Sequence, residues 1–395
     1  MKKNWWLFVA AAGVISVIAY ASGSASWVHI LMGDPVWPLN CPGCSWHKSF
    51  HYEVTLEQPW TVSSVVWSSD GKYLAVGSAG GGIINVYDTA NWQLIDGIWR
   101  WDIGGFEPLT RFTDQNTTLI FPRLWGMNAK IRTPGSMADE NVSIEKWNIR
   151  NDTVIKKYYA RLPEEDKQTS DWRRISSIAR AVAVSVDGSL VGGAIQGGGN
   201  PRVLIYDATS TQILQSIPCA PFNTPEALAF SPDAQNIAVG GCNLHEVSVY
   251  DTKTGILKYQ KTIDPEGQIY SAISYSPDGS LIAVASSGGQ HGIVTILQAA
   301  NGTILGVMPN TSPPPYSMSG ELANITNLQW IDNNLVMASY DFWNPDGSIA
   351  RIWDVRLLKL VGGFRGNHLN IVAVSPDGSR LAAVFGKNVV VGDLR

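Results

Sequence analysis

Two cysteines and two histidines fall within the stretch CPGCSWHKSFH, as Cys41, Cys44, His47 and His51. The spacing C-x2-C-x2-H-x3-H offers four ligands of the kinds zinc accepts, which makes these residues the weak metal candidates of the chain. A plainer chemistry competes. Pro42 and Gly43 form a turn pair between the cysteines, so in an oxidising compartment a local Cys41–Cys44 disulfide, or a pair that reacts with a partner, is the stronger expectation. Haem attachment is excluded because Ser45, not histidine, follows Cys44.

Elsewhere the motifs of catalysis are missing. The chain has no nucleophile elbow, no phosphate-binding loop and no H-E-x-x-H, so no catalytic residue and no cofactor is assigned. The glycine clusters GSAGGGI and IQGGGN follow strands rather than open helices, and nothing there could cradle a phosphate at a helix N-terminus. Asp139, Glu140, Glu164, Glu165, Asp166, Asp341 and Asp346 carry the oxygen ligands that Ca²⁺ takes, but they read as solvated loop residues. With a formal net charge of -4 and 16% charged residues, the chain has no basic footprint for nucleic acid.

The N-terminus, MKKNWWLFVAAAGVISVIAYASGSASW, has a basic start, an apolar run over residues 5–21 and then small residues. Gly23 and Ala25 fit a signal-peptidase site, with Ser26 as the mature N-terminus. The same run, uncleaved, is an apolar helix just long enough to anchor the chain, with Lys2 and Lys3 on the cytoplasmic side. Both outcomes export the remainder to a periplasmic, cell-surface or secreted location. Export makes disulfides the expected state of the four cysteines. Six sequons, at Asn116, Asn141, Asn151, Asn301, Asn310 and Asn324, are glycosylation candidates if the host modifies them.

The elements that must position any site come from an internal repeat. VVWSSDGKYLAVGS, LTRFTDQNTTLIF, AVAVSVDGSLVGGA, ALAFSPDAQNIAVGG, AISYSPDGSLIAVAS, LQWIDNNLVMAS and VAVSPDGSRLAAVFG share one pattern: apolar strand, turn centred on aspartate, apolar strand. The turn residues are Asp70, Asp114, Asp187, Asp233, Asp278, Asp332 and Asp377. They recur about every 45 residues with two longer intervals, giving seven units. In S-P-D-G, proline presets the first turn angle, aspartate bonds nearby backbone, and glycine accepts the left-handed conformation. A third strand follows in each unit (INVYDTA, VLIYDAT, VSVYDTK, ARIWDVR) and in most units a fourth. Four antiparallel strands at this period predict an all-β chain folded as a seven-bladed β-propeller.

At these residues the chain resembles the WD-repeat family. Trp353-Asp354 is a WD pair, and Tyr87-Asp88, Tyr206-Asp207 and Tyr250-Asp251 are variants of it. Gly366 and His368 stand where the family has Gly-His, a pair the other units lack. IAVGGCNLHEVSVYDTKTG is also similar to the YVTN-type repeats of exported prokaryotic propellers. The resemblance covers residues 49–395. It leaves residues 1–25 as signal peptide or anchor and 26–48 as a linker carrying CPGC.

The last unit stops after its third strand, VVVGDLR, while FHYEVTLE precedes the first unit without a partner. It alternates Phe50, Tyr52, Val54 and Leu56 against His51, Glu53, Thr55 and Glu57, the period of a half-buried strand. It is expected to complete the seventh blade as its outer strand and so close the ring.

In this strand order, turns between strands one and two, and three and four, share one face and are short. The long segments, at 122–141, 160–174, 309–323 and 341–347, fall on the opposite, top face. Trp60, Trp99, Trp101, Trp125, Trp172 and Trp343 map to the same connections, which makes them candidates for partner binding. Cys219 and Cys242 also fall on the top, near enough in the strand map for a disulfide. The expected function is a non-catalytic, exported scaffold that binds other proteins through this face. A propeller enzyme or redox protein of the lactonase or quinoprotein sort, using a central top-face pocket, is the alternative. Glycan recognition by the tryptophans is a weaker third.

Overall fold

The computed structural model describes residues 37–38, 45–46, 48–78, 83–99, 111–113, 118–122, 142–151, 153–159, 178–196, 201–221, 223, 225–243, 245–263, 269–287, 293–308, 324–341, 349–365 and 369–395. These residues form strands and turns only, and none of them belongs to a helix long and apolar enough to cross a membrane. Residues 1–25, expected as signal peptide or anchor helix, lie outside the described residues.

Seven antiparallel sheets follow one another along the chain. Blade 1 runs through Val62–Trp67, Tyr73–Ser78, Ile83–Asp88 and Leu94–Trp99, and blade 2 through Arg111–Thr113, Thr118–Pro122, Val142–Asn148 and Thr153–Tyr159. Blade 3 comprises Ile178–Val184, Leu190–Gln196, Arg202–Asp207 and Ile213–Pro218; blade 4 comprises Ala227–Phe230, Asn236–Gly240, Glu246–Asp251 and Leu257–Thr262. Blade 5 holds Ile269–Tyr275, Leu281–Ser287, Ile293–Gln298 and Ile304–Met308; blade 6 holds Asn324–Trp330, Leu335–Asp341, Ile349–Asp354 and Lys359–Arg365. Blade 7 combines Leu369–Val374, Arg380–Phe385 and Asn388–Leu394 with Phe50–Glu57 as its fourth strand. The first strands of successive blades adjoin, and that of blade 7 adjoins that of blade 1.

The core is distributed around the ring. Among the described residues it divides into seven apolar clusters, each between two neighbouring blades. Middle strands are therefore covered on both faces, which is why runs such as VLIY and VVV are apolar without alternation. First strands of adjacent blades share no backbone ladder, so side chains bridge them. Gln329 of blade 6 donates to Val374 O at 2.7 Å and accepts from Val374 N at 3.0 Å, while Asn327 donates to Val372 O at 2.7 Å.

The strand Phe50–Glu57 departs from strict alternation. A bulge at Glu53 separates the pairs Tyr52↔Gly392 and Val54↔Val391, which lie on opposite faces of the partner strand. Phe50 consequently packs into the cluster between blades 6 and 7, and Leu56 and Val54 into the one between blades 7 and 1. Tyr52, expected on the apolar side, is exposed. The extra residue is used: Glu53 accepts from the Trp92 indole at 2.8 Å and pairs with Arg380 at 3.5 Å.

Part of the stretch read as a linker is docked. Trp37–Pro38 adds a short fifth strand to blade 6 against Phe364 and Arg365. Ser45 and Trp46 both donate backbone N–H to Val361 O, and the Trp46 ring meets Phe364 edge-on at 5.1 Å. Gly362 admits Trp46, since a Cβ there would stand 2.9 Å from the Trp46 Cβ and carbonyl oxygen and 3.1 Å from the indole.

Candidate interaction face

The two ends of the sheets differ in construction. At the bottom, five turns repeat one arrangement: Ser68, Ser185, Ser231, Ser276 and Ser375 donate their hydroxyls to Asp70, Asp187, Asp233, Asp278 and Asp377 at 2.5–2.7 Å. Each carboxylate also accepts a backbone N–H two residues on, and the serine oxygen accepts the N–H that opens the second strand. Serine donation holds Asp187, Asp233, Asp278 and Asp377 below the usual carboxylate range, Asp377 at about 2. The turn in blade 6 has no such serine, and Asp332 caps it by accepting from Asn334 N and Leu335 N. Asp114 lies outside the described residues.

The aspartates of the Tyr-Asp and Trp-Asp pairs cap the second bottom turn. Asp207 accepts from Thr209 N and Ser210 N, Asp251 from Lys253 N and Thr254 N, and Asp354 from Arg356 N and Leu357 N. Thr89 and Thr252 then tie the two turns of their blades together by donating to Gly71 O and Ala234 O at 2.7 Å. Every one of these bonds is spent within the fold.

The top is where the chain is long. The segments after Pro122, Tyr159, Met308 and Asp341 leave from that end and re-enter at Val142, Ile178, Asn324 and Ile349. Of the six candidate tryptophans, Trp101, Trp125, Trp172 and Trp343 lie outside the described residues. Trp99 is corrected: it is the last residue of the strand Leu94–Trp99, paired with Ile83, and not part of a connection. Trp60 is on the top, at the junction of blades 7 and 1, and 47% exposed. Its loop is clamped at both ends, Gln58 N to Lys387 O and Val62 N to Gly386 O, each at 2.8 Å. Beneath it the buried Gln58 side chain donates to Tyr87 Oη and accepts from Asn85, both at 2.8 Å. Backbone clamped in this way is already ordered, so the loop that presents the indole has less entropy to lose on binding.

Also on the top, Cys219 and Cys242 form a disulfide with Cα atoms 4.6 Å apart, joining the end of blade 3 to the connection that follows the second strand of blade 4. Ala220 N donates to Cys242 O at 3.0 Å beside it. The tryptophans placed on strands, Trp67, Trp147, Trp330 and Trp353, are all buried.

Of the metal candidates, only His51 is described; it is exposed on the strand Phe50–Glu57, its backbone opposite Asp393, while Cys41, Cys44 and His47 lie outside the described residues. Among the described residues no group of three or more His, Cys, Asp or Glu converges to hold a metal ion. Of the sequons, Asn151 and Asn301 are exposed at turns and Asn324 opens a strand, whereas Asn116, Asn141 and Asn310 fall outside. Asp341 ends a strand, and the other acidic loop residues fall outside.

Six four-stranded sheets and a seventh extended to five strands by Trp37–Pro38, arranged in this way, define a β-propeller, and comparison with known proteins agrees. The family model described as WD domain, G-beta repeat matches residues 52–88, which span the outer strand of blade 7 and the first three of blade 1. No curated protein matches the chain. Among solved structures it is similar to the Cps50 (Swd1) β-propeller domain of Myceliophteria thermophila, at 12% identity and a TM-score of 0.58 over 88% of this chain and 100% of that one. At that identity the likeness speaks for the fold alone. The chain is a WD-repeat-like seven-bladed β-propeller.

Proposed function

We propose that this chain is an exported interaction scaffold that docks another protein on its top face and catalyses no reaction itself. WD-repeat propellers generally serve protein interaction, and the observation that carries the reading here is the contrast between the two faces. The bottom turns are short and bonded within themselves, whereas the long connections leave and re-enter at the top, where the exposed Trp60 also stands. Loops on a rigid scaffold and an exposed indole are what partner recognition uses.

Placement outside the cytoplasm, in a periplasmic, cell-surface or secreted setting, is part of the same proposal. The Cys219–Cys242 bond supports it, because such bonds persist in oxidising compartments. Residues 5–21 either tether the scaffold to the membrane or are removed with the signal. We further infer that the pairing of Phe50–Glu57 with Asn388–Leu394 is the closure of the ring, since it joins the two ends of the propeller in one sheet.

The test is to purify the protein from its native membrane under mild conditions and identify what accompanies it. A stoichiometric protein partner is expected, bound at least tenfold more weakly by Trp60→Ala, with unchanged thermal unfolding. Recovery of a lone monomer with hydrolase or redox activity overturns the reading, and N-terminal sequencing separates anchor from cleaved signal.

A further inference from the structure

The bottom face holds a cleft of about 360 Å³ between blades 4 and 5, lined among others by Asp233, Asn236, Tyr275, Asp278, Ser280 and Gln298. The cleft lies at a position where the repeat varies. Where the first strand ends, blades 1 and 6 carry Trp67 and Trp330, which donate Nε1–H to Ala373 O and Ser274 O of the preceding blade, each at 3.1 Å. Blade 5 carries Tyr275 there. The corresponding carbonyl is that of Ala229, and a phenol has no N–H to place on it.

The consequence is an unsatisfied floor. Tyr275 is only 8% exposed and its hydroxyl has no hydrogen-bond partner. Across the cleft the Asn236 side-chain oxygen is likewise without one. Buried polar atoms left so cost stability, and in native proteins they ask for an explanation. The walls add charge. Asp233 and Asp278 spend Oδ1 on their own turns, and serine donation keeps both ionised. A nearby cation, Lys258, pairs with Asp251 at 3.5 Å. Behind the rim, Tyr259 donates to Ala299 O at 2.8 Å and fixes the outer wall.

We propose that this cleft binds a guanidinium group, with Asp233 and Asp278 supplying the charge and Tyr275 Oη and Asn236 Oδ1 each accepting an N–H. The free positions are oxygens on two blades: Asp233 Oδ2, Asp278 Oδ2 and Asn236 Oδ1 only accept, and Tyr275 Oη accepts beside its own O–H. They outnumber the three donors of an ammonium, whereas guanidinium presents five in a fixed plane. The group could belong to a small molecule or to an arginine side chain of another protein, and the measurement distinguishes the two.

Calorimetric titration of the full chain with methylguanidinium, with arginine amide and with an arginine-bearing peptide is expected to give saturable binding, with methylammonium at least tenfold weaker. A peptide that binds tenfold tighter than methylguanidinium identifies a protein side chain as the source, and equal affinities a small molecule. Tyr275→Trp replaces the phenol oxygen by the indole that blades 1 and 6 carry, with Ala229 O as the acceptor for its N–H, so it is expected to raise the melting temperature while reducing guanidinium binding at least tenfold. Asp278→Asn keeps the turn acceptor and leaves the ring packing alone, and is expected to lose binding by a similar factor. Absence of saturable binding to the wild type, or unchanged binding in both variants, overturns the proposal.

Discussion

The ring of Phe50 lies against the Cα of Gly392, so that a Cβ placed there would stand 2.6 and 2.7 Å from two of its carbons and collide with the carbonyl oxygen of His51. Gly392 occupies the position that Tyr87, Tyr206, Tyr250 and Trp353 hold in other blades, immediately before the capping aspartate. Those blades fill the space from their own third strand. In blade 7 it is filled by a residue from the other end of the chain, and the aromatic has been given up to admit it. Gly392→Ala is therefore expected to destabilise the fold by about 1–3 kcal/mol, the usual cost of overpacking. Amide exchange should quicken first in Phe50–Glu57 and Asn388–Leu394. Exchange that quickens equally in all blades would contradict this account.

The Cys219–Cys242 bond spans a sequence separation of 23 and ties blade 3 to blade 4. In the chain-entropy picture a loop of that size restrains the unfolded chain by about 3 kcal/mol. Replacing both cysteines by serine should lower the urea midpoint accordingly, and reductant should do the same to the wild type while leaving the double variant unmoved. Equal sensitivity of both proteins to reductant would show that the effect lies elsewhere.

Stability should fall on acidification through the bottom turns. Ser375 first, then Ser379, donate to Asp377 and hold its carboxyl at about 2, below the ordinary 3.8. A depressed folded value means that the contribution is complete above the unfolded value and is lost as pH falls from about 3.8 towards about 2. Asp377→Asn removes that titration. The stability gap between wild type and variant, from urea unfolding at several pH values, should be widest above pH 4 and shrink towards pH 2. A gap that stays constant or widens with acid would exclude the mechanism.

The features that were readable beforehand are local or repeated. S-x-D-G announces its turn because each residue type has one conformational job, and repetition separates that signal from chance. The pair Cys219 and Cys242 followed from assigning strand ends to faces. What was missed depends on single residues at odds with a period. The bulge at Glu53 adds one residue and thereby sends Phe50 and Leu56 to opposite faces, which simple alternation cannot express. Trp37–Pro38 is too short to carry a pattern, and Trp99 ends a strand whose limit propensity does not mark. The blade 4–5 cleft had a signal that went unused: Trp67, Phe230, Tyr275 and Trp330 share one column, and only one of them ends in a hydroxyl.

Blade 4 breaks the turn pattern in a way that can be repaired. Gly71, Gly188, Gly279 and Gly378 adopt φ of +70, +71, +75 and +70°, and Ala234 is held at +58° in the same position. The Ser231–Asp233 bond and the ladder of Asn236–Gly240 impose this conformation on a residue with a Cβ. A left-handed conformation costs a non-glycine residue about 1–2 kcal/mol, against which glycine gives back part through the greater entropy of its unfolded chain. Ala234→Gly should therefore stabilise the propeller by about 0.5–1 kcal/mol, whereas Gly378→Ala in blade 7 should destabilise it by about 1 kcal/mol, since no contact lies within 4 Å to obscure the backbone effect. Urea unfolding of the two variants against wild type checks both signs, and a destabilised Ala234→Gly would mean that the alanine methyl contributes packing larger than the strain it carries.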